Sequence, residues 1–264
     1  MTKDEHIHHI TSGPSTGLPL VILLAIILVL YIAAMILSNR KHKKWPLYRM
    51  FFWVFGVTCA AASVIGPIAD RSHMSFTAHM VSHLLLGMLA PLLMVLAAPM
   101  TLLLRTLKVP HARRLSRLLK TWPVRILSNP ITASTLNIGG LWVLYTTELY
   151  AAMHQHASLY LLVHIHVFLA GYLFTASMVY IDPAPHRFSF VFRCIIFVLA
   201  LAGHGILSKY IYANPPIGVM SHQAESGAVL MYYAGDAIDL VLIGLLCFQW
   251  YKTASPRPPL NTEF

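Results

Sequence analysis

The sequence predicts an all-α, polytopic membrane protein, a bundle of seven transmembrane helices with its N-terminus outside and its C-terminus in the cytoplasm. Three observations carry this expectation. Apolar residues make up 57% of the 264 residues and charged residues 11%, a balance outside the range of water-soluble globules. Long uncharged runs recur at intervals that suit spans of about 20 residues. The lysines and arginines collect in alternate loops, as the positive-inside rule demands of cytoplasmic connections.

The spans are expected near Leu18–Ser38, Leu47–Pro67, Thr77–Leu104, Pro130–Leu149, Ala157–Tyr180, Phe188–Ser208 and Gly227–Tyr251. They divide the chain into an extracytoplasmic tail (1–17), a transmembrane domain (18–251) and a cytoplasmic tail (252–264). Proline, glycine or asparagine punctuates most boundaries: Pro19, Pro46, Gly66-Pro67, Pro110, Asn129-Pro130, Asp182-Pro183 and Asn214-Pro215-Pro216. The fourth span is the least apolar, with Thr132, Ser134, Thr135, Asn137 and Gly139-Gly140. Small and hydroxylated residues of this kind suit close packing on neighbouring helices rather than contact with lipid. The first seventeen residues lack a basic region and a small-residue cleavage site, so the first apolar run is expected to be a retained helix.

Arg40–Arg49 and Arg105–Arg125 carry five and seven positive residues, and Arg187, Arg193, Lys252 and Arg257 fall on the same side. The opposite side has only Lys3, Arg71 and Lys209. The net charge of +10 therefore describes a cytoplasmic collar that orients the chain and touches anionic membrane lipid. Nothing in His111–Lys120 interleaves aromatic with basic residues, and nucleic-acid binding is not expected.

The same topology puts twelve of the fifteen histidines on the outer side. Imidazole inside hydrocarbon is costly without a partner and is a common metal ligand, so the clustering asks for a chemical reason. The three cysteines, Cys59, Cys194 and Cys247, lie on different spans with no Cys-x-x-Cys pair. Metal chemistry here would rest on histidine and methionine, a donor set that suits copper.

His79 and His83 open the third span. Four residues apart on a helix, their rings stack on one face, and Gly87 continues that stripe without a side chain. Met80 lies about 100° round the helix and would reach the same site only from its rim. His164 and His166 are two residues apart, about 200° round, so only one of them can face that interior. His204 sits between Gly203 and Gly205, which suggests a crowded or irregular backbone. In the loops, His6, His8 and His9, His73 with Met74, His154 and His156, and Met220 with His222 could capture a metal and pass it inward, although exposed histidines are as readily explained as ordinary loop residues.

Glu225, Tyr232, Asp236 and Asp239 fall along one helical stripe of the last span. Asp236 is roughly 16 Å along the axis from Glu225, near mid-membrane, where an ionisable group is a functional candidate. Proton relay, counter-charge to a cation, and structural pairing with a neighbouring helix all remain open.

The run His79-Met80-x-x-His83-Leu-Leu-Leu-Gly87-Met-Leu-Ala-Pro91, with Ala98-Pro99 beyond it, resembles the signature of the bacterial CtaG family of polytopic cytochrome c oxidase assembly factors, which is distinct from the single-span copper chaperone sharing that name. His164-x-x-x-Phe168-Leu-Ala-Gly171, His204-Gly-Ile-Leu and Gln223-x-x-x-Gly227-x-x-x-Met231-Tyr-Tyr-x-Gly235-Asp236 are similar to its later helices, from about residue 67 to 250. The resemblance implies a non-catalytic role in maturing a haem-copper oxidase in the bacterial cell membrane, with copper reaching the oxidase on the outer side. It carries over to His79, Met80, His83, His164, His204, Met231 and Asp236; His166, His222 and the His/Met-rich tails lie outside the pattern.

The combined expectation is a copper site, as Cu(I), in an outward-opening pocket. His79 and His83 would be its principal ligands and His164 and His204 would complete it. Met80 or Met231 would supply thioether, with Asp236, Asp239 and Tyr232 behind them. Its partners would be cytochrome c oxidase subunits, other copper chaperones and membrane lipid. A copper or proton transporter and a haem- or quinone-binding oxidoreductase are the competing classes. A transporter needs polar residues along the inner half of the last span, whereas Leu240–Phe248 is almost wholly apolar.

Overall fold

The structure, a computed structural model, describes residues 17–184 and 186–254. Among these residues it is all helix, with no strand. The tails carrying Lys3, His6, His8, His9 and Arg257 lie outside the described residues.

Among the described residues six helices are long and apolar enough to cross a membrane, which makes this a multi-pass membrane protein. They are α1 (Gly17–Lys41), α2 (Leu47–Val64), α4 (Phe76–Leu96), α10 (Ala157–Met178), α11 (Phe190–Ala213) and α12 (Ser221–Ala254). Shorter helices fill the connections: α3 (Pro67–Ser72), α5 (Pro99–Thr106), α6 (Val109–Leu119), α7 (Trp122–Leu127) and α9 (Leu149–Gln155). The expected fourth span is α8, a helical run over 130–146 with a π-helical turn at Thr135–Gly139. It is one residue short of the shortest helix among the six.

Helix α4 is the axle of the bundle. Across its apolar 18-residue stretch 72% of residues are buried, against 33% or less in those of the other five spans, and α2, α10 and α12 pack around it. Two glycines permit the closest crossing. A Cβ on Gly171 of α10 would stand 2.0 Å from the carbonyl oxygen of Gly87, so the two backbones touch there. On the α12 side, a Cβ on Gly227 would come within 2.7 Å of the Phe76 ring. The Gln223 side-chain oxygen also accepts the Phe76 amide N–H at 3.0 Å, tying the start of α12 to the start of α4.

The expected third span, Thr77–Leu104, is not one helix. It stops at Leu96, Ala98 turns into the left-handed region at φ 52°, and α5 restarts at Pro99. A residue before proline is driven from the right-handed helical region, and the new helix needs its own cap. Asp182 supplies it, accepting the Thr101 N–H at 2.7 Å, the Thr101 hydroxyl at 2.6 Å and the Met100 N–H at 3.1 Å. Nearby, the Tyr31 hydroxyl donates to the Ala97 carbonyl at 2.9 Å and accepts from the Trp45 indole at 3.1 Å. Basic residues mark this end of the bundle, and His73, His154 and His156 mark the other.

A Gly171→Ala change forces the α4 and α10 backbones apart, and a loss of about 1–3 kcal/mol or more is expected, read as a lower unfolding midpoint in detergent. Gly244→Ala, where an added Cβ meets nothing within 4 Å, is expected to be neutral or to stabilise by up to about 1 kcal/mol through helix propensity. Equal effects at the two positions would refute the close-crossing account.

Candidate metal centre

All four histidines singled out by spacing are buried, each 7% exposed or less. His79 and His83 present their rings from successive turns of α4 to a small cavity of about 10 Å³, which they share with Ser82, Tyr145 and His164. The Tyr145 hydroxyl lies 3.1 Å from His79 Nε2. His164 Nδ1 is 2.8 Å from the Tyr160 carbonyl. A carbonyl only accepts, so the proton sits on Nδ1 and the neutral ring keeps its Nε2 lone pair, the arrangement usual for a metal-binding histidine.

A second cavity, of about 20 Å³, lies on the other side of His83. His83, His204, Met88, Asn137 and Asp239 contribute its functional lining. Here the polar accounts do not close. Both ring nitrogens of His83 and Nε2 of His204 are buried and bonded to no group among the described residues, and the two ring centres are 6.4 Å apart. Buried polar atoms rarely go unpaired, so these three nitrogens call for water or an ion. Glycines make room for the rings: a Cβ on Gly235 would come within 2.6 Å of His204 Cε1, and one on Gly87 within 3.4 Å of His83.

The four rings therefore share two adjoining cavities with His83 in common, but they do not form one coordination sphere. Among the described residues no three His, Cys, Asp or Glu side chains stand close enough to hold a single ion. The open choice in α10 falls to His164. His166 is exposed on the far side, where its Nε2 donates to the Leu136 carbonyl at 3.2 Å in the π-helical turn of α8, beside Gly140. Around His204 the backbone is regular α-helix rather than irregular. Crowding is real at Gly203, where an added Cβ would come within 3.0 Å of Ile138 and whose carbonyl accepts the Trp142 indole.

Met80 and Met231 are fully buried, but in the apolar cluster with Phe76, Tyr145 and Leu207, and they line neither cavity. The thioether that does line one belongs to Met88. The π-helical turn Leu85–Leu89 rotates it there, a displacement no 100° count anticipates. The acidic stripe of α12 is also divided. Its buried face runs through Gly227, Met231, Gly235 and Asp239, which leaves Asp236 and Glu225 exposed and Tyr232 half-buried with the Lys209 ammonium 5.4 Å from its ring. Residue 236 is 100° from Gly235, on the edge of the stripe.

At the His-rich end, aromatic rings cluster beside His79. The His73 ring stacks on Tyr160 at 5.0 Å and lies 6.0 Å from His154, which in turn is 4.8 Å from Tyr150 and 6.2 Å from His79. Partial burial, then the neighbouring His154, lowers the His73 pKa below the usual imidazole value, and Asp70 opposes them. That ring is neutral at neutral pH. Tyr145, Tyr150, Tyr160, Asn137 and Met88 are site residues that sequence spacing did not reveal; Tyr160, four before His164, carried the one readable signal.

Fold and site together define a multi-pass helical membrane protein with a buried imidazole cluster. The profile of the family described as cytochrome c oxidase caa3 assembly factor (Caa3_CtaG) matches residues 29–253, and the chain belongs to this family. It is similar to an uncharacterized protein of Mycobacterium leprae, 28% identical over 243 residues, covering 84% of this chain and 37% of that protein. Uncharacterized proteins of Mycobacterium bovis and Mycobacterium tuberculosis are each 34% identical over 166 residues, 60% of this chain and 25% of theirs. The match thus spans between 25% and 37% of the length of these curated relatives. No solved structure matches it.

Tyr145→Phe removes the hydroxyl at His79 and is expected to lower stability by about 1 kcal/mol, seen as a reduced unfolding midpoint in detergent. An unchanged midpoint would mean that this bond contributes nothing to the fold.

Proposed function

We propose that the protein assists assembly of a haem-copper cytochrome c oxidase by binding Cu(I) in its buried histidine cluster and delivering it to an oxidase subunit, without catalytic turnover. The observation that carries this reading is the cavity between His83 and His204, with its three unpartnered imidazole nitrogens. Two imidazoles on a two-coordinate ion with metal–nitrogen bonds of about 2 Å place their ring centres about 6 Å apart, close to the 6.4 Å found. Met88 adds a soft thioether and Asp239 a counter-charge at the same cavity, both suited to a monovalent soft cation in a low-dielectric setting. His79 and His164 then form the outer stage, with Tyr145 orienting His79.

In this reading α8 crosses the membrane as a seventh span, the basic loops face the cytoplasm, and the His-rich end faces outward in the bacterial cell membrane. Other copper chaperones would supply the ion from that side. Cavities of about 10 and 20 Å³ hold a water-sized or ion-sized occupant, which favours an ion over a haem or quinone.

Purified protein loaded with Cu(I) against a competing chelator is expected to retain copper, and His83→Ala with His204→Ala to bind it at least tenfold more weakly, the scale of 1.4 kcal/mol or more. Unchanged copper content in that double variant would refute the site. A Soret band in the purified protein would favour the haem class instead.

A further inference from the structure

We propose that His73 and His154 form a separate, surface Cu(I) site that captures the ion at the His-rich end and hands it to His79. This rests on the copper reading above and adds to it a defined point of intake. The sequence offers these two residues among several loop histidines that could capture a metal, and does not single them out. The structure sets them apart, because α3 and α9 bring them ring to ring at 6.0 Å with an interplanar angle of 86°, while His156 has no such neighbour among the described ring contacts.

Three features point to ligation rather than packing. First, the spacing fits: two imidazoles bridged by an ion with bonds of about 2 Å have ring centres about 6 Å apart. Second, His154 Nδ1 lies 2.9 Å from the Tyr150 carbonyl, so Nδ1 carries the proton and Nε2 keeps its lone pair, the same device found at His164. Third, both residues are exposed while His79, 6.2 Å from His154, is buried. The series His73, His154, His79 thus runs from solvent to interior in steps of one imidazole-to-imidazole distance. An ion held by His73 and His154 can bind His79 before His73 lets go, keeping two nitrogen ligands throughout. No bond to protein other than metal–nitrogen bonds is made or broken, and no redox change is needed. His83 lies one helical turn beyond His79, at the inner cavity.

Tyr160 stacked on His73 and Tyr150 beside His154 wall the pair with aromatic faces, which favour a cation and limit competing water. Asp70, on α3, is the nearby carboxylate, and it adds attraction for the incoming ion.

The test uses the full chain in lipid nanodiscs, with Cu(I) presented as its bicinchoninate complex and transfer followed by loss of the chelate colour. His73→Phe with His154→Phe keeps the aromatic packing and removes both ligands. Loading is expected to slow by about tenfold or more, a typical gain from a capturing site, with one fewer Cu(I) bound at saturation and the tightly held inner copper unchanged. His73→Phe alone is expected to produce most of the effect, since a two-ligand site does not survive the loss of one, and it guards against misfolding of the double variant. Wild-type rate and stoichiometry in both variants would overturn the capture site, while loss of inner copper in His83→Ala with His204→Ala would leave the copper reading standing. A wild-type protein that takes no Cu(I) would overturn both.

Discussion

The crossing of α4 and α10 at Gly87 and Gly171 is the contact on which the rest of the site depends. With the Gly87 carbonyl 2.0 Å from where a Cβ of residue 171 would be, only glycine lets the two backbones meet. In a membrane, helix association draws little on the hydrophobic effect and relies on close van der Waals contact between small residues. This contact sets the separation of the helices just where His79 and His83 look across to His164. A wider crossing would open the small cavity they share; a displaced one would part the rings. Gly227 and Gly235 repeat the device on α12, one receiving Phe76 and the other the His204 ring. The glycines of the motif are thus the spacing elements of the imidazole cluster.

Bringing four imidazoles into an apolar interior has an electrostatic consequence. Neutral rings are tolerable there only when their nitrogens are paired, and each unpaired one costs about 1–3 kcal/mol. In the outer pair one nitrogen of each ring is paired, His79 Nε2 with the Tyr145 hydroxyl and His164 Nδ1 with the Tyr160 carbonyl. In the inner pair His83 finds no partner among the described residues for either nitrogen and His204 none for Nε2. Asp239, buried at the same cavity, is equally expensive unless it faces positive charge. The unpaired ring nitrogens can be satisfied by a cation or by ordered water in the cavity. The polarity that destabilises the empty cavity is what would make a cation welcome.

The apolar runs were legible in the sequence because hydrocarbon thickness dictates their length, and helical spacing correctly placed His79 and His83 on one face. What escaped followed from departures from regular helix. The π-helical turn at Leu85–Leu89 shifts the angular count, so Met88 reaches the cavity while Met80 packs with Phe76. His166 bonds outward to the Leu136 carbonyl in the turn at Thr135–Gly139, while His164 is the buried one of the two opposed histidines. Ala98 broke a predicted span because Pro99 follows it and Asp182, more than eighty residues away in sequence, caps the new helix. Asp236 shares a stripe with Asp239 by spacing alone; which edge of the stripe is covered depends on where α12 meets α4 and α11. Local rules give helical faces, and only packing says which face is inside.

The two ends of the bundle are held by different forces. At the basic end, side chains are fastened to backbone: Tyr31 to Ala97, Arg105 to the Lys43 carbonyl, Arg193 to the Met178 carbonyl, and Asp182 to the amides that begin α5. At the His-rich end the connections are chiefly stacked and edge-on rings, from His73 through Tyr160, His154 and Tyr150 to His79. Directional hydrogen bonds to backbone resist displacement, whereas ring contacts slide at little cost, and local opening concentrates where such bonds are few. At the His-rich end the bond from the Phe76 amide to Gln223 also ties α12 to α4, so fastening to backbone is sparser there but present.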